Sequence, residues 1–526
     1  MSRQSNRRDF LADVGRGMLV AGIGLGTAMD LGLTSASAMD DPKKKPESLD
    51  FGSMEPLVAL MQETPGDQIV AKVIQRMRSG TDLKTLVAAA ALANARTFGG
   101  EDYIGFHTMM ALAPAFHMSG ELTGDRAALP VLKVLRRNTG RIQEYGGRPK
   151  EVLHTVEPLC CLPDERSGGE ALRDAVHKRD VDLAEATFAL LSEGKPLDAF
   201  NELLIEVQDH ADVHRVVMPY RAWDLLGVVG MENAHTMLRQ SVRYCVKNEG
   251  HASANPDGKR MRALLPKLLD QYKLVGKPRG QRAAEDGWVD KMAKIIFEGS
   301  PETAADAAAA ALAEGIVPEA VGEAIALAAN QLVLRDAGRT KREVQPGKPE
   351  GSVHGDSIGV HACDSANAWR NMARVANDRN AYACLILGAY QVARDRVERG
   401  GDFLHWQPRP LHEQLEAIKS SDPSTLLADA ESAIKANDQA RACALIHRYG
   451  ELGHGARPVF DLMIKFATSE DGALHAEKYY RTVSEEFASA RPSFRWRQLV
   501  ALARVTASEY GKTAPGYEEA CRMLSV

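Results

Sequence analysis

Aromatic residues make up only 6% of this 526-residue chain, and no apolar stretch in it is long enough to cross a bilayer. Strands draw on aromatic and β-branched side chains. A chain poor in aromatics and dominated by alanine, leucine and arginine is therefore expected to be all-α. A basic excess is also missing. The 65 Lys and Arg against 70 Asp and Glu give a net charge of −5, which argues against a nucleic-acid partner. The seven cysteines, at 160, 161, 245, 363, 384, 443 and 521, are odd in number and lack short paired spacings, unlike a disulfide framework or a zinc ribbon. Cys160-Cys161 is a vicinal pair open to redox chemistry, and the others read as small buried residues on helices. The chain has no P-loop, no G-x-G-x-x-G after a strand, no G-x-S-x-G elbow and no H-E-x-x-H, which sets aside the nucleotide-binding, serine-hydrolase and zincin classes. Without C-x-x-C-H there is no covalent c-type haem.

What is present begins with an address. Asn6-Arg7-Arg8-Asp9-Phe10-Leu11 leads into the short apolar segment GMLVAGIGLGTAM and then Ala36-Ser37-Ala38. Paired arginines, a short apolar region and a small-x-small cleavage site resemble a twin-arginine export signal, assigned to residues 1–38. The expected partner there is the twin-arginine export machinery, and the expected location of the mature protein is periplasmic or otherwise exported, with no membrane span. That machinery carries proteins that fold before crossing, often around a metal or cofactor inserted in the cytoplasm, which favours a metal site.

Beyond the signal, one pattern recurs. Ala184 to His210 (AEATFALLSEGKPLDAFNELLIEVQDH), Ala307 to Leu332 (AAAAALAEGIVPEAVGEAIALAANQL) and Ala442 to Glu470 (ACALIHRYGELGHGARPVFDLMIKFATSE) each read as a helix, a glycine, a proline (196, 318, 458) and a second helix. Glycine suits the end of a helix, and proline suits the first turn of the next, where its missing N–H leaves no bond unmade. A looser copy, VIQRMRSGTDLKTLVAAAALANA, has Asp82 in place of proline. Each unit continues into a helix headed by histidine: EDYIGFHTMMALAPAF, QDHADVHRVVMPYRAWDLLG, HGDSIGVHACDSANAWRNMA and SEDGALHAEKYYRTVSEEFA.

The reading is a tandem array of about four His-headed helical units, each unable to bury its apolar faces alone. The boundaries are 39–78 for a leader and first helix, then units at 79–160, 161–250, 288–400 and 401–526, with 251–287 as a Lys-, Arg-, Gly- and Pro-rich linker. A closed array would bring the four histidines to one centre, whereas an open solenoid would string them out.

Those histidines are His107, His214, His361 and His475, the candidate metal ligands. Asp102, Asp209 and Asp356 stand five residues before the first three, and Asp471 four before the last. As N-caps, the acids would satisfy orphan N–H groups of the first turn. That role accounts for the acids but not for a histidine at the same place four times. Histidine's charged form is disfavoured at a helix N-terminus, which keeps the imidazole neutral and its lone pair free for a metal. The aspartates would orient the ligands or act as acid/base groups, and Tyr103, Tyr220, Trp223 and Trp369 would line a pocket. Subsidiary candidates are His210, Glu232 with His235, His354, Glu477, His117 and His405.

The strings VHGDSIGVHACDSANAWRNMAR and DGALHAEKYYRTV, within a helical periodicity from about residue 80 to 510, resemble the questin oxidase-like family. Its members are alanine-rich helical proteins with recurring histidine-headed helices. The resemblance implies an oxidoreductase, since fungal members are linked to oxygen-dependent ring opening of polyketides with a reduced nicotinamide. An exported protein lacks ready access to that reductant, so neither substrate nor electron donor carries over. LAEGIVPEAVGEAIALAA is similar to a stretch of the carboxymuconolactone decarboxylase family, but the C-x-x-C-x-x-x-H expected there is missing. The expectation is an exported metal-dependent oxidoreductase acting on a small organic substrate, its ion being iron, copper, manganese or zinc. The alternative is a non-catalytic helical-repeat scaffold that binds a protein or glycan on a concave face.

Overall fold

The computed structural model describes residues 47–162 and 167–526, so the stretch 1–38, read as an export signal, and residues 39–46 of the leader segment lie outside the described residues. Every regular element among the described residues is a helix, and extended pairing is limited to isolated bridges such as Ser48 with His154. The all-α expectation holds.

Helix ends follow the local chemistry. Asp82 caps the helix Leu83–Phe98 by accepting from the Thr85 N–H, and that helix stops at Gly99 in the left-handed region. Pro196 opens Pro196–Val207, Pro318 opens Pro318–Arg335, and Pro458 is the second residue of Arg457–Ser469. The stretch 251–287, read as a linker, is built into the fold instead. It contains the helix Pro256–Gln271, which buries Met261, Leu265, Leu268 and Leu269 and turns Lys259, Arg260, Lys267 and Asp270 outward. Charge and proline masked an apolar spacing of three and four residues.

Four helices form the centre: α1 (Tyr103–Ser119), α2 (Val213–Val229), α3 (Ile358–Val375) and α4 (His475–Ser489). α1 packs on α2, α2 on α3, α3 on α4 and α4 back on α1, a closed circuit. All four run in the same direction. Their histidine-bearing first turns meet at one end, and contacts continue down their length. Thr482 of α4 donates to Asp364 of α3 at 2.7 Å, Asn367 of α3 donates to Glu486 of α4 at 2.9 Å, and Tyr220 of α2 donates to Glu485 of α4 at 3.0 Å.

An outer layer supports this ring. Leu83–Phe98 and Leu129–Tyr145 pack on α1, Ala234–Ala254 on α2, Pro318–Arg335 and Asp378–Arg399 on α3, and Trp496–Glu509 on α4. The buried Ala88–Ala91 run explains the close approach of Leu83–Phe98 to both α1 and α2, because side chains of one methyl let helix axes draw together.

Candidate four-histidine site

The first turns of α1 to α4 deliver one histidine each. His107 is the fifth residue of α1, His214 the second of α2, His361 the fourth of α3 and His475 the first of α4. Their rings form a closed quadrilateral with centroid separations of 4.8 Å (107–214), 6.4 Å (214–361), 5.3 Å (361–475) and 5.5 Å (475–107). Within it the imidazoles pair through their outer nitrogens. His107 Nε2 lies 3.3 Å from His214 Nε2, and His361 Nε2 lies 3.2 Å from His475 Nε2.

Two nitrogens bound tetrahedrally to one ion at roughly 2.0–2.1 Å stand roughly 3.3–3.4 Å apart, so each pair already has the edge length of a metal shell. The two pairs are not closed on each other. Among the described residues, no group of three or more His, Cys, Asp or Glu side chains is positioned to hold a metal ion.

The backbone and carboxylates around the rings fix where protons sit. His107 Nδ1 is 2.7 Å from the Tyr103 carbonyl oxygen, which can only accept. The proton is therefore on Nδ1, and the Nε2 lone pair faces His214. His214 Nδ1 faces Asp212 Oδ1 at 3.8 Å. A proton on that side points a second lone pair at the first, a repulsion that a shared cation would relieve.

Burial is the foremost cause holding His107, His361 and His475 in the neutral form. Lys478 and neighbouring histidines add to it for His107 and His475, which lie well below the ordinary value. For His361, pushed down to about 3, His214 and then Lys478 add to burial. Lys478 stands one turn below His475 on α4, only 4% exposed, and burial pushes it down to about 8 against the pull of Asp364 and Glu477.

Of the four aspartates read as partners, only Asp102 caps its helix. It accepts from the Gly105 N–H at 2.7 Å and from Arg141 Nε at 2.9 Å. Asp209 is not beside His214: it is buried and pairs with Arg173 (2.9 Å to Nε) and His177 (2.5 Å). The acid next to His214 is Asp212, which caps α2 through the Arg215 N–H at 2.9 Å and accepts from the Tyr244 hydroxyl at 2.7 Å. Asp356 is taken by Arg339 and Lys348, and Ser357 caps α3 in its place. Asp471 pairs with Lys512 at 2.7 Å, and α4 has no side-chain cap. Instead the chain enters α4 through three successive left-handed residues, Gly472, Ala473 and Leu474, with φ of 49°, 48° and 67°. Two of them are not glycine, so local strain is stored directly before His475.

The aromatic candidates separate as well. Tyr103 lies over the site, its ring 4.4 Å from His107 and 5.6 Å from His214, while the residue remains 40% exposed. Burial of its hydroxyl near Asp212 and Asp356 pushes its pKa up to about 12. Tyr220 and Trp369 are core residues hydrogen-bonded to Glu485 and Gln391, and Trp223 stacks on Phe200. None of these three lines a pocket at the histidines. A cleft of about 430 Å³ exists elsewhere, between Phe51, Lys84, Leu92, Val229 and Glu232. It sits at the C-terminal end of α2, about 22 Å along the helix from His214.

The subsidiary histidines stay apart from the ring. His210 faces His251, His235 stacks on Phe188, His354 faces Glu509, His117 pairs with Asp224 and His405 with Asp402. Glu477 pairs with Lys133. Cys160 and Cys161 are exposed, with sulfurs 3.8 Å apart.

Sequence reasoning missed Asp212, Tyr244 and Lys478. Asp212 was legible as the residue immediately before α2, in A-D-V-H, but the five-residue spacing drew attention to Asp209. Compared with protein-family models, curated proteins and solved structures, the chain matches none.

Proposed function

We propose that this chain is an exported metal-dependent enzyme, an oxidoreductase acting on a small organic substrate, with His107, His214, His361 and His475 as ligands of one metal centre. The observation that carries this reading is the pair of Nε2···Nε2 contacts, 3.3 and 3.2 Å, where four helix N-termini converge. Imidazoles held neutral at His107, His361 and His475, a lone pair fixed on His107 Nε2 and a carboxylate beside His214 Nδ1 are the donor chemistry that iron, copper, manganese or zinc accepts. Such an ion would activate dioxygen or polarise a bound organic molecule.

The chain's own residues have separable roles. The Tyr103 carbonyl and Asp212 face the Nδ1 atoms of two ligands, the Tyr103 ring limits solvent entry, and Lys478 carries the nearest buried ammonium. The twin-arginine reading of residues 1–38 fits a metal inserted before export.

The test is elemental analysis of protein recovered through its own export route, beside H214A/H361A. About one or two equivalents of metal, lost in the folded double variant, supports the reading. Protein without stoichiometric metal would reassign the imidazole pairs to internal hydrogen bonding in a non-catalytic scaffold.

A further inference from the structure

Two of the seven cysteines stand apart from the rest. Cys245, Cys363, Cys384 and Cys443 are buried and Cys521 is half-buried, whereas Cys160 and Cys161 are exposed. Burial pushes the thiols of Cys384 and Cys443 up to about 12, which keeps them from ionising. A thiol reagent in solution therefore meets one fully open place on the folded chain, and that place carries two sulfurs.

The backbone brings those sulfurs together. Neighbouring side chains diverge by about 100° around a helix and point to opposite faces of a strand, so adjacent cysteines in either element hold their sulfurs apart. Residues 155–162 form neither element, and Pro158 and Pro163 flank the pair and oppose helix there. The stretch before the pair is pinned to the fold. The Val152 and Leu153 N–H groups donate to the Arg96 carbonyl at 2.9 and 3.0 Å, and the Leu159 N–H donates to the Ala186 carbonyl at 3.1 Å. A bend at Cys160 and Cys161 follows and sets the two Sγ atoms 3.8 Å apart. Their hydrogen bond raises the Cys161 thiol, so the pair reacts through one thiolate at a time.

We propose that Cys160 and Cys161 form a reversible disulfide with each other by exchange with a small-molecule disulfide such as oxidised glutathione. One thiolate attacks a sulfur of the small molecule, forming a mixed disulfide and releasing one of its two thiolates. The neighbouring thiolate then attacks the protein sulfur of that bond, closing the Cys160–Cys161 bond and releasing the second. The protein gives up two electrons and two protons, and the small-molecule disulfide becomes two thiols. Adjacent Cα atoms lie ~3.8 Å apart across a trans peptide, short of the roughly 4.4–6.8 Å that disulfides ordinarily span, so the closed ring is strained. Strained, exposed disulfides are the readily reduced ones, which makes this site reversible rather than structural. The site is independent of the four histidines.

The experiment treats the full chain with oxidised glutathione, then unfolds it, alkylates it with N-ethylmaleimide and maps its peptides by mass. The expected result is alkylation of every cysteine except Cys160 and Cys161, whose peptide is lighter by two hydrogen atoms. Excess reduced glutathione should restore alkylation of both. C161S, an exposed change that leaves the core untouched, should stop at one glutathione adduct on Cys160. Full alkylation of the treated parent, separate glutathione adducts on both of its sulfurs, or a bond to a second chain would overturn the inference. A Cys160–Cys161 bond that excess reduced glutathione leaves intact would overturn its reversibility.

Discussion

Replacing Asp212 with asparagine separates the two jobs that this residue performs. Its Oδ2 accepts from the Arg215 N–H as the N-cap of α2, and its Oδ1 faces His214 Nδ1 at 3.8 Å. Burial alone would raise its pKa. The imidazole of His214 beside it, together with the hydrogen bond from the Tyr244 hydroxyl, holds it well below the ordinary carboxylate range instead. Asparagine keeps the cap, since it ranks with aspartate at that position, so D212N should lose only a few tenths of a kcal/mol in stability. It removes the charge behind a ligand histidine, which should weaken metal binding about 10- to 100-fold, or about 1.4–2.8 kcal/mol. D212A loses the cap as well and should be about 1 kcal/mol less stable than D212N. D209N is the matched control. Its carboxylate is buried between Arg173 and His177, and breaking that network should cost about 3–5 kcal/mol of stability while leaving metal affinity alone. Chelator competition measures the affinity, and urea unfolding of metal-free protein measures the stability. D212N binding metal as tightly as the parent, or D209N weakening it equally, would refute the assignment of Asp212 as the orienting carboxylate.

Acid sensitivity follows from two histidines outside the site, His210 buried and His235 half-buried. Burial foremost holds His235 down at about 4 and His210 at about 3, so the unfolded chain protonates both below pH ~6.5 while the folded protein keeps them neutral. Their contribution to stability is complete above that pH and is lost as pH falls toward 4. H235Q should therefore flatten the fall in unfolding free energy between pH 6.5 and 4 by up to one proton, and an unchanged slope in urea titrations would contradict this. Gly100, at φ 81°, leaves no room for a side chain, because a Cβ there would lie 2.2 Å from the Gln240 carbonyl oxygen. G100A should cost at least about 2–3 kcal/mol in urea unfolding, and a change below 0.5 kcal/mol would show that the approach relaxes freely. Ala473 sits at φ 48° before His475, so A473G should raise stability by about 1 kcal/mol in the same assay, and a loss would mean that its methyl packs favourably enough to outweigh the strain.

Much of the fold was legible because it is written in short-range chemistry. Asp82, Pro196 and Pro318 each mark a helix start through a cap or a fixed φ, and the alanine runs mark helices that pack closely. The four histidines stood out by recurrence. Their acids did not resolve correctly, because a five-residue spacing cannot distinguish a cap from a residue whose carboxylate is claimed from a distant helix. Arg173 takes Asp209 across 36 residues, and Arg339 takes Asp356 across 17. The same limit explains Tyr220 and Trp369, which are aromatic and near the histidines in sequence but hydrogen-bonded into the core. Lys478 gave no signal at all, since a lysine three residues after a helix start ordinarily faces solvent, and only the closed circuit of α1 to α4 buries it. The linker error has a similar origin, as charge on one face hid the apolar face of Pro256–Gln271.

The central claim is that one ion draws the two imidazole pairs into a single shell, and X-ray absorption at the edge of whatever metal the purified protein carries tests it most directly. A shell of three or four imidazole nitrogens at roughly 2.0–2.1 Å, reduced in H214A/H361A, is the expected result. A shell of oxygen or sulfur ligands, or one unchanged in the double variant, would place the metal elsewhere and contradict the four-histidine centre.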